Sequence, residues 1–317
     1  MKRYTMLGCA LAAFAPHSVG AQSLTTIRVA GPAQEGFKTV YYGVRSGIFA
    51  KYGLTVEIVT VTSGAAALAA LAGGSVDVAL TSMLPFFQAF ARGLPFQIVA
   101  PGQQYVSEQP TQALFVKKGS LIQHGADLNG KIIGVQSIKD LNWAATAAWV
   151  DATGGDSKTV KFIELPLATV IPAIAEGRVD AAALSAPYLQ QGLASGELRM
   201  LAKNFDVIGK RFEVAVYIAT KSYVTANRDA MSRFAHGMHD AAVYVNSHPA
   251  ETVDLIAGFT GVDPAIISKA ARTTDPEYVD DRDIQPVANL TYKYRLVDHP
   301  LTADELTAVT ALRLPSR

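Results

Sequence analysis

Two stretches decide how this chain reads: LAALAGGSVDVALTS (68–82) and AIAEGRVDAAALS (173–185). Gly74 matches Gly177, Val76 matches Val179, Asp77 matches Asp180 and Ser82 matches Ser185. Each copy follows a strand-like run, TVEIVTV (55–61) or TVKFIEL (159–165), and then an apolar helix-like segment. A unit of one strand, one helix and one buried strand, used twice, predicts two similar α/β lobes. A cleft between such lobes is a preferred place for a small ligand.

The surrounding sequence extends the pattern. TTIRVA (25–30), VDVALT (76–81) and FQIVAPG (96–102) read as strands separated by helical segments that end at Gly47, Gly73-Gly74 and Gly93. A second set follows with QALFVKKG (112–119), LNGKIIGVQ (128–136), VDAAALS (179–185) and LRMLAKN (198–204). FEVAVYIATK (212–221) is strand-like and is placed to return to the first lobe. Alternation of this kind predicts largely parallel sheets with helices on both faces. From Arg228 on the chain reads as mostly helical.

Lys2 and Arg3, the apolar run MLGCALAAFA (6–15) and the small residues Val19-Gly20-Ala21 read as a cleaved export segment over 1–21. The apolar run is too short to span a bilayer. Cys9 is the single cysteine and lies within that segment, so the mature chain is expected to hold no disulfide, thiolate metal site or cysteine nucleophile. Without Lys2 and Arg3 the chain carries 26 basic against 27 acidic residues, close to neutral. A nucleic-acid partner normally leaves a basic footprint, and none is present.

With these segments in order, the chain resembles a known family. GIFAKYGLTVEIV (47–59), SG at 63–64, GGSVDVALTS (73–82), EGRVDAAALSAPY (176–188) and FAHGMHDAAVYVNSHPAETVDLIAGFTGVD (234–263) are similar to the nitrate/sulfonate/taurine group of ABC-transporter substrate-binding proteins. The resemblance implies the type II periplasmic-binding-protein fold: two lobes, two crossover segments and a ligand cleft between them. It implies a periplasmic protein, expected as a monomer, that hands a small organic anion, sulfonate- or taurine-like or an aromatic carboxylate, to an inner-membrane ABC permease. The expected lobes are 22–110 with 212–317, and 111–211, with crossovers near 103–113 and 205–215.

Candidate ligand-binding residues come from strand ends, where open parallel sheets place their ligands. Thr81 and Ser82 end one strand, and Ser63-Gly64 opens a helix whose first N–H groups and positive dipole end suit an anion. Gln136, Ser137 and Ser185 are the second-lobe counterparts. Only the first copy keeps Ser-Gly at the helix start, because Thr62-Ser63-Gly64 aligns with Pro166-Leu167-Ala168. The first lobe is therefore expected to grip the anionic head, with Asn142, Trp143 and Tyr188 closing over the rest. The resemblance adds Glu35 and Phe37 in the loop after the first strand. Gln103, Gln104, Tyr105 and Glu213 are weaker candidates near the crossovers and the return strand.

Catalytic readings find little. His236 and His239 are three apart on a helix and read as a solvated helix face rather than as part of a metal set. No Gly-x-Ser-x-Gly elbow or phosphate loop occurs. No cofactor and no metal is expected. Two alternatives share the fold: an enzyme of cofactor biosynthesis, of the pyrimidine-precursor or menaquinone kind, and a ligand sensor feeding a membrane kinase. The cysteine-rich motif of the pyrimidine-forming enzymes is absent.

Overall fold

The computed structural model describes residues 24–314, so the expected export segment lies outside the described residues. Ten strands form two sheets of five. In chain order they are β1 (Thr25–Pro32), β2 (Leu54–Val61), β3 (Val78–Ser82), β4 (Phe96–Val106), β5 (Gln112–Lys117), β6 (Ile132–Val135), β7 (Lys161–Glu164), β8 (Ala181–Ser185), β9 (Leu198–Ala202) and β10 (Arg211–Thr220). The first sheet runs β2-β1-β3-β10-β4 and the second β7-β6-β8-β5-β9.

The two orders are the same topology drawn twice. In each sheet four strands run in one direction, and the remaining one, β10 or β5, lies antiparallel in the fourth place of the order. β10 pairs antiparallel with both β3 and β4, so the return strand closes the first sheet. The fold is therefore the expected α/β architecture of two sheets with flanking helices.

The repeated Gly-x-Val-Asp has a physical cause. Gly74 and Gly177 both take φ of +73°, ending a helix in a conformation that glycine adopts without a Cβ penalty. Val76 and Val179 are buried at the start of the next strand. Asp77 accepts from the Arg28 backbone N–H at 2.8 Å, and Asp180 accepts from that of Ile132 at 2.9 Å. Each aspartate's own N–H bonds back to the same residue's carbonyl. The motif thus staples β3 to β1 in the first sheet and β8 to β6 in the second, with the carboxylate serving as a ladder partner.

Apolar residues cover both faces of the sheets, as parallel strands require. Ile27, Val29 and Phe37 pack with Phe234 and Met238 on one face of the first sheet. On its other face Phe86 and Phe87 meet Leu141, Ala144 and Ala148 of the helix Leu141–Ala152, which follows β6. One apolar cluster therefore continues from the first sheet's layer into the second's. The helix Val253–Thr260 sends Ile256 into the second sheet's core beside Val170 and Leu184, together with Val262 and Ile267. The chain after β10 accordingly bridges both sheets.

Candidate functional site

The carboxyl ends of the parallel strands face one another across a cleft. The first sheet contributes Pro32, Ser63, Gly64, Thr81 and Ser82, and the second Gln136, Ser137, Asp140, Asn142 and Ser185. Gln103, Gln112, Phe205 and Ala215 add to its walls from β4, β5, the short helix Asn204–Val207 and β10. The inner chamber holds about 50 Å³ and opens into an outer one of about 390 Å³. Pro32, Ser63, Gln136 and Ser137 line both chambers, while Glu164, Leu167 and Tyr188 line only the outer one.

Local sequence explains the placement. Ser63 takes an extended backbone and its side chain accepts from the Ala66 N–H at 3.2 Å, capping the helix Gly64–Ala72. A Cβ on Gly64 would sit 3.1 Å from Thr81 Cα and 3.2 Å from Ser82 N. Glycine lets this helix lie against the end of β3 without a shift of a few tenths of an ångström there, which brings Ser63 beside the two hydroxyls. Ser82 ends β3 and begins the helix Met83–Ala91 without capping it.

The first wall carries unmet hydrogen-bonding capacity. Thr81 is 1% exposed and its Oγ1 has no partner, and neither has Ser82 Oγ. Leaving a buried hydroxyl unpaired costs about 1–3 kcal/mol. Groups of this kind at a strand-end cleft are the expected mark of a bound partner.

The second wall is organised around Asp140. This residue caps the helix Leu141–Ala152, its Oδ1 accepting from the Trp143 backbone N–H at 2.7 Å. Burial pushes its carboxyl up to about 7, the backbone N–H groups of Trp143, Asn142 and Ser137 pulling down and Glu164 pushing up. Ahead of it Lys139 takes φ of +68°, a left-handed conformation that costs a side-chain-bearing residue about 1–2 kcal/mol. Glu164 holds this turn by accepting from the Ile138 N–H at 2.8 Å. Backbone strain of this kind tends to collect at functional sites.

Among the described residues lining the inner chamber, Asp140 is the only ionisable one, and no lysine, arginine or histidine is present. Asn142 is engaged on both ends of its amide: its Nδ2 donates to Gln112 Oε1 and its Oδ1 accepts from Asn204 Nδ2, each at 3.0 Å. It lines the chamber as a fixed wall.

Not every expected residue reaches the cleft. Glu35 is buried elsewhere, its Oε1 accepting from Arg272 Nε at 2.6 Å and the Thr273 N–H at 3.1 Å. Phe37 is a core residue that fills the space over Gly31, where a Cβ would lie 2.7 Å from its ring. The loop after β1 is thus stitched to the 272–275 segment, a reach of over 230 residues that local sequence does not reveal. Trp143 packs edge-on against Phe162 with ring centroids 5.9 Å apart and is not among the lining residues. Tyr188 stands at the outer chamber, its hydroxyl donating to the Thr260 carbonyl at 2.8 Å.

Among the weaker candidates, Gln103 lines the cleft. Tyr105 is core and donates to Asp206, and Gln104 donates to Asp283. Glu213 is buried between β10 and β4, accepting from the Gly102 N–H at 2.8 Å, and burial holds its carboxyl well above the usual range. Sequence reasoning passed over Asp140, Gln34, Gln112 and Phe205. An aspartate just ahead of an apolar helix is a recognisable cap, and that was the available clue to Asp140. Among the described residues no three His, Cys, Asp or Glu side chains gather as a metal set, and no helix is long and apolar enough to cross a membrane.

Comparison with known proteins bears on the fold and the family. A Brucella abortus protein, provisionally named a binding protein, is 26% identical over 282 residues, covering 86% of this chain and 83% of its own. The periplasmic aliphatic sulphonate binding protein SsuA from Escherichia coli superposes with a TM-score of 0.72 at 21% identity, over 93% of this chain and 95% of its own. The periplasmic nitrate-binding protein NrtA from Synechocystis PCC 6803 superposes with a TM-score of 0.73 at 13% identity, over 87% and 83%. These likenesses establish a shared periplasmic-binding-protein fold. The sequence profile described as NMT1/THI5 like matches residues 34–252. The chain therefore belongs to the NMT1/THI5-like family.

Proposed function

We propose that the chain is the solute-capturing component of an ABC importer. It binds a small organic solute with an anionic head in the interlobe cleft and delivers it, chemically unchanged, to an inner-membrane permease. The observation that carries this reading is the pair of buried, unpartnered hydroxyls of Thr81 and Ser82 beside the helix start at Ser63-Gly64. Hydroxyls and helix N–H groups donate to an oxyanion, and the helix dipole favours negative charge there. The solved neighbours named for sulphonate and nitrate binding support the same class of head group.

The lobes of this reading are 22–110 with 212–317, and 111–211, moving about the crossovers that leave β4 and enter β10. Residues 1–21 would direct the chain to the periplasm, where it would act as a monomer. The test is a thermal-shift and calorimetric screen of sulfonates, carboxylates, nitrate and amino-sulfonates. A solute at a hundred times its dissociation constant adds about 2.7 kcal/mol to stability. Mass spectrometry after incubation separates capture from catalysis: recovery of an altered solute at catalytic rates would assign the chain to the biosynthetic side of the fold instead.

A further inference from the structure

A chain of carboxamides leads from the cleft into the protein interior. Gln112 opens β5 and lines the inner chamber, although it is only 5% exposed. Its Oε1 accepts from Asn142 Nδ2 at 3.0 Å, and Asn142 Oδ1 accepts from Asn204 Nδ2 at 3.0 Å. The Asn204 nitrogen also donates to Thr146 Oγ1 at 2.9 Å. Asn204 begins the short helix Asn204–Val207, is fully buried and does not line the chamber.

The direction of this chain is fixed at its buried end. Thr146 has one hydroxyl proton, and it goes to the Asn142 carbonyl at 2.7 Å, one turn back along the helix Leu141–Ala152. The Thr146 oxygen is left to accept, and only the nitrogen end of Asn204 can meet it. Each amide then orients the next, so Gln112 turns its oxygen to Asn142 and its nitrogen away. The reversed chain would hold three hydrogen bonds where this one holds four, because Thr146 would have to release the Asn142 carbonyl to donate to Asn204. Packing alone does not call for an asparagine at 204, since its Oδ1 is buried without a partner. Gln112 Nε2 donates to none of the described residues, yet it is not an enclosed atom. Its N–H groups therefore open to the chamber.

We infer that Gln112 is a specificity-determining residue that donates to an acceptor oxygen of the solute, and that Asn204 is the positioning residue that makes it a donor. The inference rests on the cleft being the solute site proposed above. The Thr81 and Ser82 hydroxyls on the facing wall can each donate or accept, so they do not by themselves select one polarity. A carboxamide free to turn over would not either. Held by Asn142, Gln112 offers N–H only. A solute with an acceptor there gains a hydrogen bond from the second lobe, and one with a donor meets a second donor.

Two measurements test this. Side-chain amide exchange, followed by nuclear magnetic resonance on the solute-free protein, reads the direction of the chain. The Asn142 and Asn204 N–H groups should be protected and those of Gln112 should exchange freely; protected Gln112 N–H groups would overturn the inference whatever the cleft binds. Calorimetric titration of ethanesulfonate, propanoate and nitrate then compares the wild-type protein with Gln112→Met, Asn204→Leu and the double variant, each shown to be folded by thermal unfolding. For the tightest binder of the three, Gln112→Met should lose affinity about tenfold or more, as for a hydrogen bond to a charged group. Asn204→Leu should lose about threefold or more, and nothing further once Gln112 is Met, because it acts only through that amide. Thr146→Val, which keeps the side-chain shape and removes the acceptor that sets the direction, should repeat the Asn204→Leu result should that variant fail to fold. Unchanged affinity in Gln112→Met, or an equal loss from Asn204→Leu with and without Gln112, overturns the inference and leaves the capture reading intact. So does failure of all three anions when another solute of the wider screen binds; failure of every solute in that screen removes the capture reading and the inference with it.

Discussion

Replacing Thr81 by valine separates a hydroxyl kept for a solute from one kept for the fold. Thr81 is 1% exposed and its Oγ1 has no partner, so the folded protein bears the cost of desolvating it without a hydrogen bond in return. That cost is about 1–3 kcal/mol. Valine has the same branched shape, favours strands, and leaves the backbone pairing of residue 81 with Val216 in place. Thr81→Val is therefore expected to stabilise the solute-free protein by about 1 kcal/mol, a rise in Tm of about 2 °C. A hydrogen bond to a charged head group is worth about 1.5–3 kcal/mol, so affinity for the bound solute should fall tenfold or more. Thermal unfolding without solute and calorimetry with it read the two quantities on one preparation. A variant that loses stability and keeps its affinity would show that the hydroxyl serves the fold, and the first-wall account would fail.

Other substitutions probe the parts around it. Gly64→Ala puts a Cβ at 3.1 Å from Thr81 Cα, forcing a shift of a few tenths of an ångström at the end of β3. Affinity should drop severalfold by calorimetry, while stability stays within about 1 kcal/mol as helix propensity offsets the crowding. Asp77→Ala removes the acceptor of the Arg28 backbone N–H and should cost about 1–3 kcal/mol in denaturant unfolding, with solute affinity unchanged. Glu213 carries a carboxyl raised by burial, so the folded state holds its proton to higher pH than the unfolded chain does. Its contribution to stability is therefore greatest at acidic pH and is lost as pH rises from the ordinary carboxylate range through the raised value. Glu213→Gln should make the stability curve shallower as pH rises above the ordinary carboxylate range, and a curve as steep as the wild type's would contradict the assignment.

The repeat was legible because its residues act locally. Gly74 and Gly177 end helices, Val76 and Val179 enter the core, and Asp77 and Asp180 bind the neighbouring strand within one supersecondary unit. Strand-end residues followed once that unit was recognised, which is why Ser63, Thr81, Ser82, Gln136, Ser137 and Ser185 all line the cleft. Glu35 and Phe37 were misjudged for the opposite reason. Their partners Arg272, Thr273 and Tyr217 lie about 180 residues or more away and cover the loop they occupy. Trp143 sits three residues after the cap, and only the packing of Phe162 shows which way its ring faces. Asp140 has the sequence context of an ordinary helix cap, and its place in the cleft lining appears only when β3 is set opposite it.

The account stands or falls on whether a solute is held at the strand ends of both sheets. The most direct measurement is a calorimetric titration of the solute found by screening into the wild-type protein and into the double variant Thr81→Val with Ser82→Ala. Both proteins should first be shown to be folded by thermal unfolding. The account predicts one solute per wild-type chain and a loss of affinity of about a hundredfold or more in the double variant, from two hydrogen bonds to a charged group. Equal affinity in the two proteins would place the solute elsewhere and contradict it.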